Sequence, residues 1–107
     1  MTALNWNKEF AMEQAADDAE LLAELLEIFK DSMKSDIGII EEGLSEKNST
    51  KISGAAHSIK GAASSLGIQG VNDVASLIET DSRGGGLSIA QDNLETLKDL
   101  MNQLLAL

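Results

Sequence analysis

The sequence predicts an all-α protein: an antiparallel up-down-up-down four-helix bundle with an additional short N-terminal helix. Three observations predict it. The 107 residues contain no proline, so nothing locks φ or removes a backbone donor within a helix. Aromatic residues are 3% of the chain and β-branched runs are short, which leaves the 3.6-residue period as the only sustained apolar pattern. That pattern occupies four long segments separated by short polar or glycine-rich breaks, as in sequential helices that double back on one another.

In chain order, a first short helix covers about Asn7 to Ala16 and turns Phe10, with Trp6, inward as a lid; alone it is too short to be stable. The second opens at Asp17-Asp18-Ala19-Glu20, where a carboxylate can accept from the first free amides and Glu20 can reach back. From there Leu22, Leu26, Phe29, Met33, Ile37, Ile40 and Leu44 wind one apolar stripe, and the helix ends near Gly43 to Ser45. The third caps on Asn48 or Ser49 and buries Ile52, Ala55, Ala56, Ile59, Ala62, Ala63 and Leu66, with Gly67 as its left-handed terminator. The fourth runs from about Gln69 to Arg83 with Val71, Val74, Ala75 and Ile78 inward, and Gly84-Gly85-Gly86 stops it. The last starts on a Ser88-x-x-Gln91 capping box and carries Ala90, Leu94, Leu97, Met101 and Leu104.

Composition narrows the function classes. The length fits one domain over residues 1–107 with a single core. Eighteen acidic residues against eight basic ones give a net charge of −10, which repels a phosphate backbone or an anionic membrane, so neither nucleic acid nor membrane is expected as a partner. With no cysteine there is no disulfide, thiolate metal site or thiol nucleophile, and with one histidine there is no multi-histidine metal site. No strand-turn-helix surrounds a serine, which disfavours a serine hydrolase. Met1 to Phe10 lacks the basic start and apolar run of a signal peptide, and no stretch is apolar for the roughly eighteen residues of a membrane span. The expectation is a cytoplasmic protein.

The third helix departs from this economy. Gly54 and Gly61 lie in its interior, and each costs about 1 kcal/mol relative to alanine. At 100° per residue, the Ile52-to-Leu66 stripe gathers on one side, whereas His57, Lys60, Gly61 and Ser64 fall roughly 160° away. His57 therefore faces outward, with small residues one turn above and below it apart from Lys60. An accessible imidazole is largely neutral at pH 7 and keeps a nitrogen lone pair, the requirement for a nucleophile toward phosphorus. Lys60 places a cation one turn away, where it can steady a dianionic phosphoryl group. Small residues let a flat protein surface approach. A lone surface histidine beside a lysine is commonly just a solvated pair, but Gly61 points away from the core, and core packing cannot account for it.

The run Ala56-His57-Ser58-Ile59-Lys60-Gly61-Ala62-Ala63-Ser64-Ser65-Leu66-Gly67 closely resembles the A-H-x-L-K-G-x-x-x-x-L-G signature of histidine-containing phosphotransfer (HPt) domains, the intermediates of two-component phosphorelays. Leu21-Leu22 to Phe29 is similar to the family's L-L-x-x-F helix, and Val71 to Glu79 to its L-x-x-x-x-x-x-L-E helix. The resemblance implies that His57 Nε2 accepts a phosphoryl group from one receiver-domain aspartate and donates it to another. It implies Lys60 as phosphate neighbour, Gly61 as clearance for the partner, Gly67 as the close-packed turn, and Glu79 in the slot of a residue that faces the other ring nitrogen. Ser64 and Ile68 are expected on the partner-docking face. Ile59, Ile68 and Val71 depart mildly from the common pattern, which affects packing more than chemistry.

The implied partners are response-regulator receiver domains and a sensor histidine kinase, hybrid or otherwise. The chain is expected to be a monomeric, stoichiometric carrier with no ATP site, no turnover and no cofactor of its own; Mg²⁺ is expected in the receiver. Two alternatives stand beside this reading. An acyl carrier is also short, acidic and four-helical, but needs D-S-L, and the nearest strings are Ser64-Ser65-Leu66 and Asp81-Ser82-Arg83. An interaction-only bundle would dock receivers without reacting.

Overall fold

The protein, seen in a computed structural model that describes residues 2–107, folds as five helices: α1 (Lys8–Gln14), α2 (Ala19–Glu46), α3 (Ser49–Ser65), α4 (Gln69–Arg83) and α5 (Ser88–Leu105). Among the described residues there is no β-strand, and only a single isolated antiparallel bridge joins Trp6 to Ile68. The 28 residues of α2 span about 42 Å at 1.5 Å per residue, which matches the 42 Å long axis of the molecule. α2 packs against α3 and α5, and α4 packs against the same two helices, so the four long helices close around one core.

That core takes the predicted stripes. Met33, Ile40, Ile52, Ile59, Ile78, Leu97 and Leu104 are essentially inaccessible, and each such side chain contributes about 1.5–3 kcal/mol by leaving water. Leu26, Leu44, Ala62 and Leu94 lie at the margins of the core, half-buried, and Leu100 joins the interior alongside Leu97 and Met101. Asn48 caps α3 by accepting from the Lys51 amide at 3.1 Å, and Asp18 caps α2 by accepting from Glu20 and Leu21.

Several element ends differ from expectation for local reasons. α1 stops at Gln14 because Ala16 and Asp17 turn into the left-handed region, with φ of 54° and 61°. Its buried residue is Ala11, joined by the C-cap Ala15, while Phe10 is only half-buried. α2 runs past Ser45 to Glu46, and Lys47, not a glycine, supplies the left-handed cap at φ 54°. Ser88 does not cap α5. The N-cap is Leu87, which has no side-chain cap, and the Asp81 carboxylate accepts from the Ile89 amide at 3.3 Å instead. A side chain from the preceding helix thus does what the Ser88-x-x-Gln91 box was expected to do.

The segment before α1 straps the α3–α4 turn. The Asn7 amide donates to the Gly67 carbonyl at 2.8 Å, the Gly70 amide to Leu4 at 2.7 Å, and the Trp6 indole to the Leu66 carbonyl at 3.0 Å. Gly67, at φ +69°, terminates α3 as predicted, and a Cβ there would press on Phe10 and the Asn7 carbonyl. Ile68 is fully buried in this turn. The expectation that it docks a partner is therefore incorrect: the left-handed Gly67 reverses the chain, and the side chain that follows is driven into the core.

Asp36 is one of three buried polar side chains among the described residues, with Glu79 and Ser82. It sits on α2 with 9% of its surface exposed, and its buried Oδ2 has no hydrogen-bond partner. Burial raises its pKa, while hydrogen bonds from Ser58 and Ser32 act in the opposite direction. The folded state therefore binds this proton more tightly than the unfolded chain, and stability falls as pH rises through the carboxylate range. Asp36→Asn is expected to raise Tm by about 4 °C at pH 7, with the gain over wild type shrinking as the pH drops toward 4; equal melting curves at both pH values would refute it.

Candidate functional site: an exposed imidazole on a buried carboxylate

The helical phase of α3 puts Ile52, Ala55, Ala56, Ile59 and Ala63 inside and leaves His57 outside, with 69% of its side chain exposed. Gly54 and Gly61 flank it along the helix, and a Cβ built on either meets nothing within 4 Å. Ser64 is exposed on the same face. The outward placement of His57, Gly61 and Ser64 follows the sequence prediction, and open space lies above the ring.

The other side of the ring meets α4. His57 Nδ1 lies 2.6 Å from Glu79 Oε2. Glu79 occupies the inward face of α4, one turn beyond the buried Ala75 and one before the buried Ser82, and only 4% of its side chain is exposed. Its carboxylate is fully engaged: Lys60 Nζ sits 2.8 Å from Oε1, and Arg83 Nη2 donates to Oε2 at 2.7 Å. The Lys60 hydrogen bond, reinforced by His57 and by the charges of Lys60 and Arg83, outweighs desolvation and lowers the Glu79 pKa from 4.5 to about 2. Near neutral pH this group is a carboxylate and can only accept.

That fixes the tautomer. An acceptor-only oxygen at 2.6 Å requires Nδ1 to carry the proton, so in the neutral ring the lone pair resides on Nε2. The ring thus presents a free nitrogen on its exposed edge and has a negative charge fixed behind it. With His57 neutral, the cluster of Lys60, Arg83 and Glu79 carries a net charge of +1 within a chain of −10, which favours an incoming phosphoryl group. The α3–α4 register is fixed by Asn72 Nδ2, which donates to the Lys60 carbonyl at 3.3 Å.

The structure brings His57, Lys60 and Glu79 together as the sequence suggested, but reassigns Lys60: its ammonium rests on Glu79 and is not left free beside the ring. Arg83 was missed. The signal for it was the Glu79–Arg83 spacing of four residues on one helix, with a cation in the last turn, where the helix dipole favours one. On the α2 side of the α3 face lies a shallow groove of about 380 Å³ that includes Leu25, Ile28, Ala62 and Ser65, and Ile28 is 64% exposed there. The donor set beside His57 does not suit a metal ion, because both oxygens of its one carboxylate already hold cationic or N–H donors.

A family model described as the Hpt domain matches residues 24–107. The chain belongs to the Hpt-domain family. Comparisons with curated proteins and with solved structures returned no match. Hpt domains carry out histidine phosphotransfer in phosphorelay signalling, and the match spans α3, α4, α5 and most of α2 while leaving the N-terminal strap and α1 outside it. Within this Hpt domain His57 is the only histidine. Among the described residues no helix is long and apolar enough to cross a membrane.

Proposed function

We propose that His57 Nε2 is the relay atom: it takes a phosphoryl group from the aspartyl phosphate of one receiver domain and returns it to the aspartate of another. The Nδ1–Glu79 contact at 2.6 Å on an exposed ring carries this reading. The Nε2 lone pair attacks phosphorus while the bond to the receiver's carboxylate oxygen breaks and that oxygen keeps its electron pair. As positive charge develops on the ring, the Glu79 carboxylate stabilises the Nδ1–H end. Return to the second aspartate reverses these steps.

In this reading residues 1–107 form one domain, an antiparallel up-down-up-down bundle with α1 as its cover, and it acts as a cytoplasmic monomer. It is a stoichiometric carrier with no ATP site, supplied through a sensor kinase, and the Mg²⁺ that neutralises the reacting oxygens belongs to the receiver. The receiver rests on His57, Gly61 and Ser64, with Leu25 and Ile28 as the apolar flank. The acyl-carrier alternative fits poorly at one of its two candidate serines: Ser82 is 2% exposed, and its hydroxyl donates to the Ile78 carbonyl at 2.6 Å.

The direct test is incubation with a panel of phosphorylated receiver domains. Acid-labile, alkali-stable label on His57 supports the relay, and failure to accept label from any receiver that transfers readily to other Hpt domains refutes it. Gly61→Arg tests the docking face. The position is open and already disfavours helix, so circular dichroism should be unchanged, while receiver affinity falls at least about tenfold, roughly 1.4 kcal/mol. Wild-type affinity would remove Gly61 from the interface.

A further inference from the structure

The relay steps as described are carried by His57 and Glu79, and Arg83 bonds the same carboxylate oxygen as the imidazole. We propose that Arg83 is a positioning residue that sets how long a phosphoryl group survives on His57, acting through Glu79 Oε2. The inference rests on phosphorylation of His57 at Nε2.

A phosphohistidine is lost when water oxygen attacks phosphorus and the P–Nε2 bond breaks, its electron pair returning to Nε2. If Nδ1 holds a proton, the group that departs is a neutral imidazole; without that proton it is an imidazolate, a far poorer leaving group. Lifetime therefore follows the protonation of Nδ1 in the phosphorylated ring. Glu79 Oε2, as an anionic acceptor, favours the protonated form and hence loss. Arg83 Nη2, 2.7 Å from that same oxygen, draws on its electron density and partly neutralises its charge, and so protects the phosphoryl group.

The charged groups around the ring are few. α3 contributes Lys60, whose ammonium is committed to the other oxygen, Oε1, at 2.8 Å. α4 contributes Glu79 and Arg83. From α2 the acidic group is Asp36, buried and hydrogen-bonded by Ser58 on the residue next to His57. Among the described residues Arg83 is thus the only cation on the oxygen that receives Nδ1–H. Its side chain is 68% exposed, so water screens part of its effect, which limits the expected change to about three- to tenfold.

The test uses phosphoramidate, which labels accessible imidazoles chemically without any receiver: Nε2 attacks phosphorus and ammonia departs with a proton. Decay of the phosphohistidine ³¹P signal is followed across pH for the whole chain. Arg83→Ala is expected to shift the pH dependence of hydrolysis upward by about half a unit to one unit, shortening the half-life about three- to tenfold on the alkaline side of the transition and leaving the acid side unchanged. Arg83→Lys, which retains the charge, should restore most of the lifetime. In a Glu79→Gln background, where the carboxylate charge is gone, Arg83→Ala should have no effect. Superimposable profiles for wild type and Arg83→Ala overturn the proposal while leaving His57 as the relay atom. A lifetime loss that persists undiminished in the Glu79→Gln background overturns it too, since Arg83 would then act on the phosphoryl group directly. Label forming away from His57 Nε2 would overturn the relay reading and this inference together.

Discussion

His57→Gln is expected to abolish phosphoryl transfer from a phosphorylated receiver, at least about a thousandfold below wild type, with the helical circular dichroism unchanged. Glutamine retains polarity and a similar reach but has no ring lone pair, so the attack on phosphorus has no nucleophile. Folding should be indifferent, because the imidazole is 69% exposed and Glu79 keeps two of its three partners, Lys60 and Arg83. Exposed substitutions of this kind shift stability by about 0.5 kcal/mol. Rate and fold are therefore separable in this one variant. Label on His57→Gln at a tenth of the wild-type level or more would show that another atom carries the phosphoryl group.

The outward angle of His57 was legible in the sequence because helical phase alone decides it: once Ile52, Ala56, Ile59 and Ala63 are taken as the inner face, the ring has to point away. The same reasoning located the open ground above Gly61. It failed at Ile68, where phase does not apply; the residue follows a left-handed glycine, and whether its side chain points in or out depends on how the strap from Leu4 to Asn7 crosses the turn. Long-range backbone bonds of that kind leave no local mark. Ser88 failed for a related reason. The box pattern was present, but Asp81 reaches the start of α5 across the glycine turn and bonds the Ile89 amide. Lys60 and Arg83 show a third limit, since pairing around a buried carboxylate depends on a second helix. Only the spacing of Glu79 and Arg83 hinted at it.

Glu79→Ala tests whether the buried carboxylate orients the ring. It is expected to lower the rate of phosphoryl acceptance by about 10²-fold, because general acid–base partners of this kind contribute about 10²–10⁴ and the methyl group leaves Nδ1–H without an acceptor, free to exchange tautomers. Glu79→Gln should recover part of the rate, since its amide oxygen can still accept from Nδ1–H but carries no charge to stabilise the ring, whereas a purely electrostatic role would leave both variants equally slow. Stability supplies an independent reading. Glu79 titrates at about 2 in the folded chain against 4.5 for the free side chain, so the unfolded state binds this proton more readily. The carboxylate's contribution is then fully present above about pH 4.5 and is lost as pH falls toward 2. Removing it costs about 1–2 kcal/mol at pH 7, a modest value because its three partners are themselves partly solvated. Wild type and Glu79→Gln should accordingly differ in denaturation midpoint at neutral pH and converge below pH 3. Were the gap instead to persist undiminished at pH 2, the carboxylate's charge would not be what ties α4 to α3 beneath the imidazole, and the tautomer argument would lose its support.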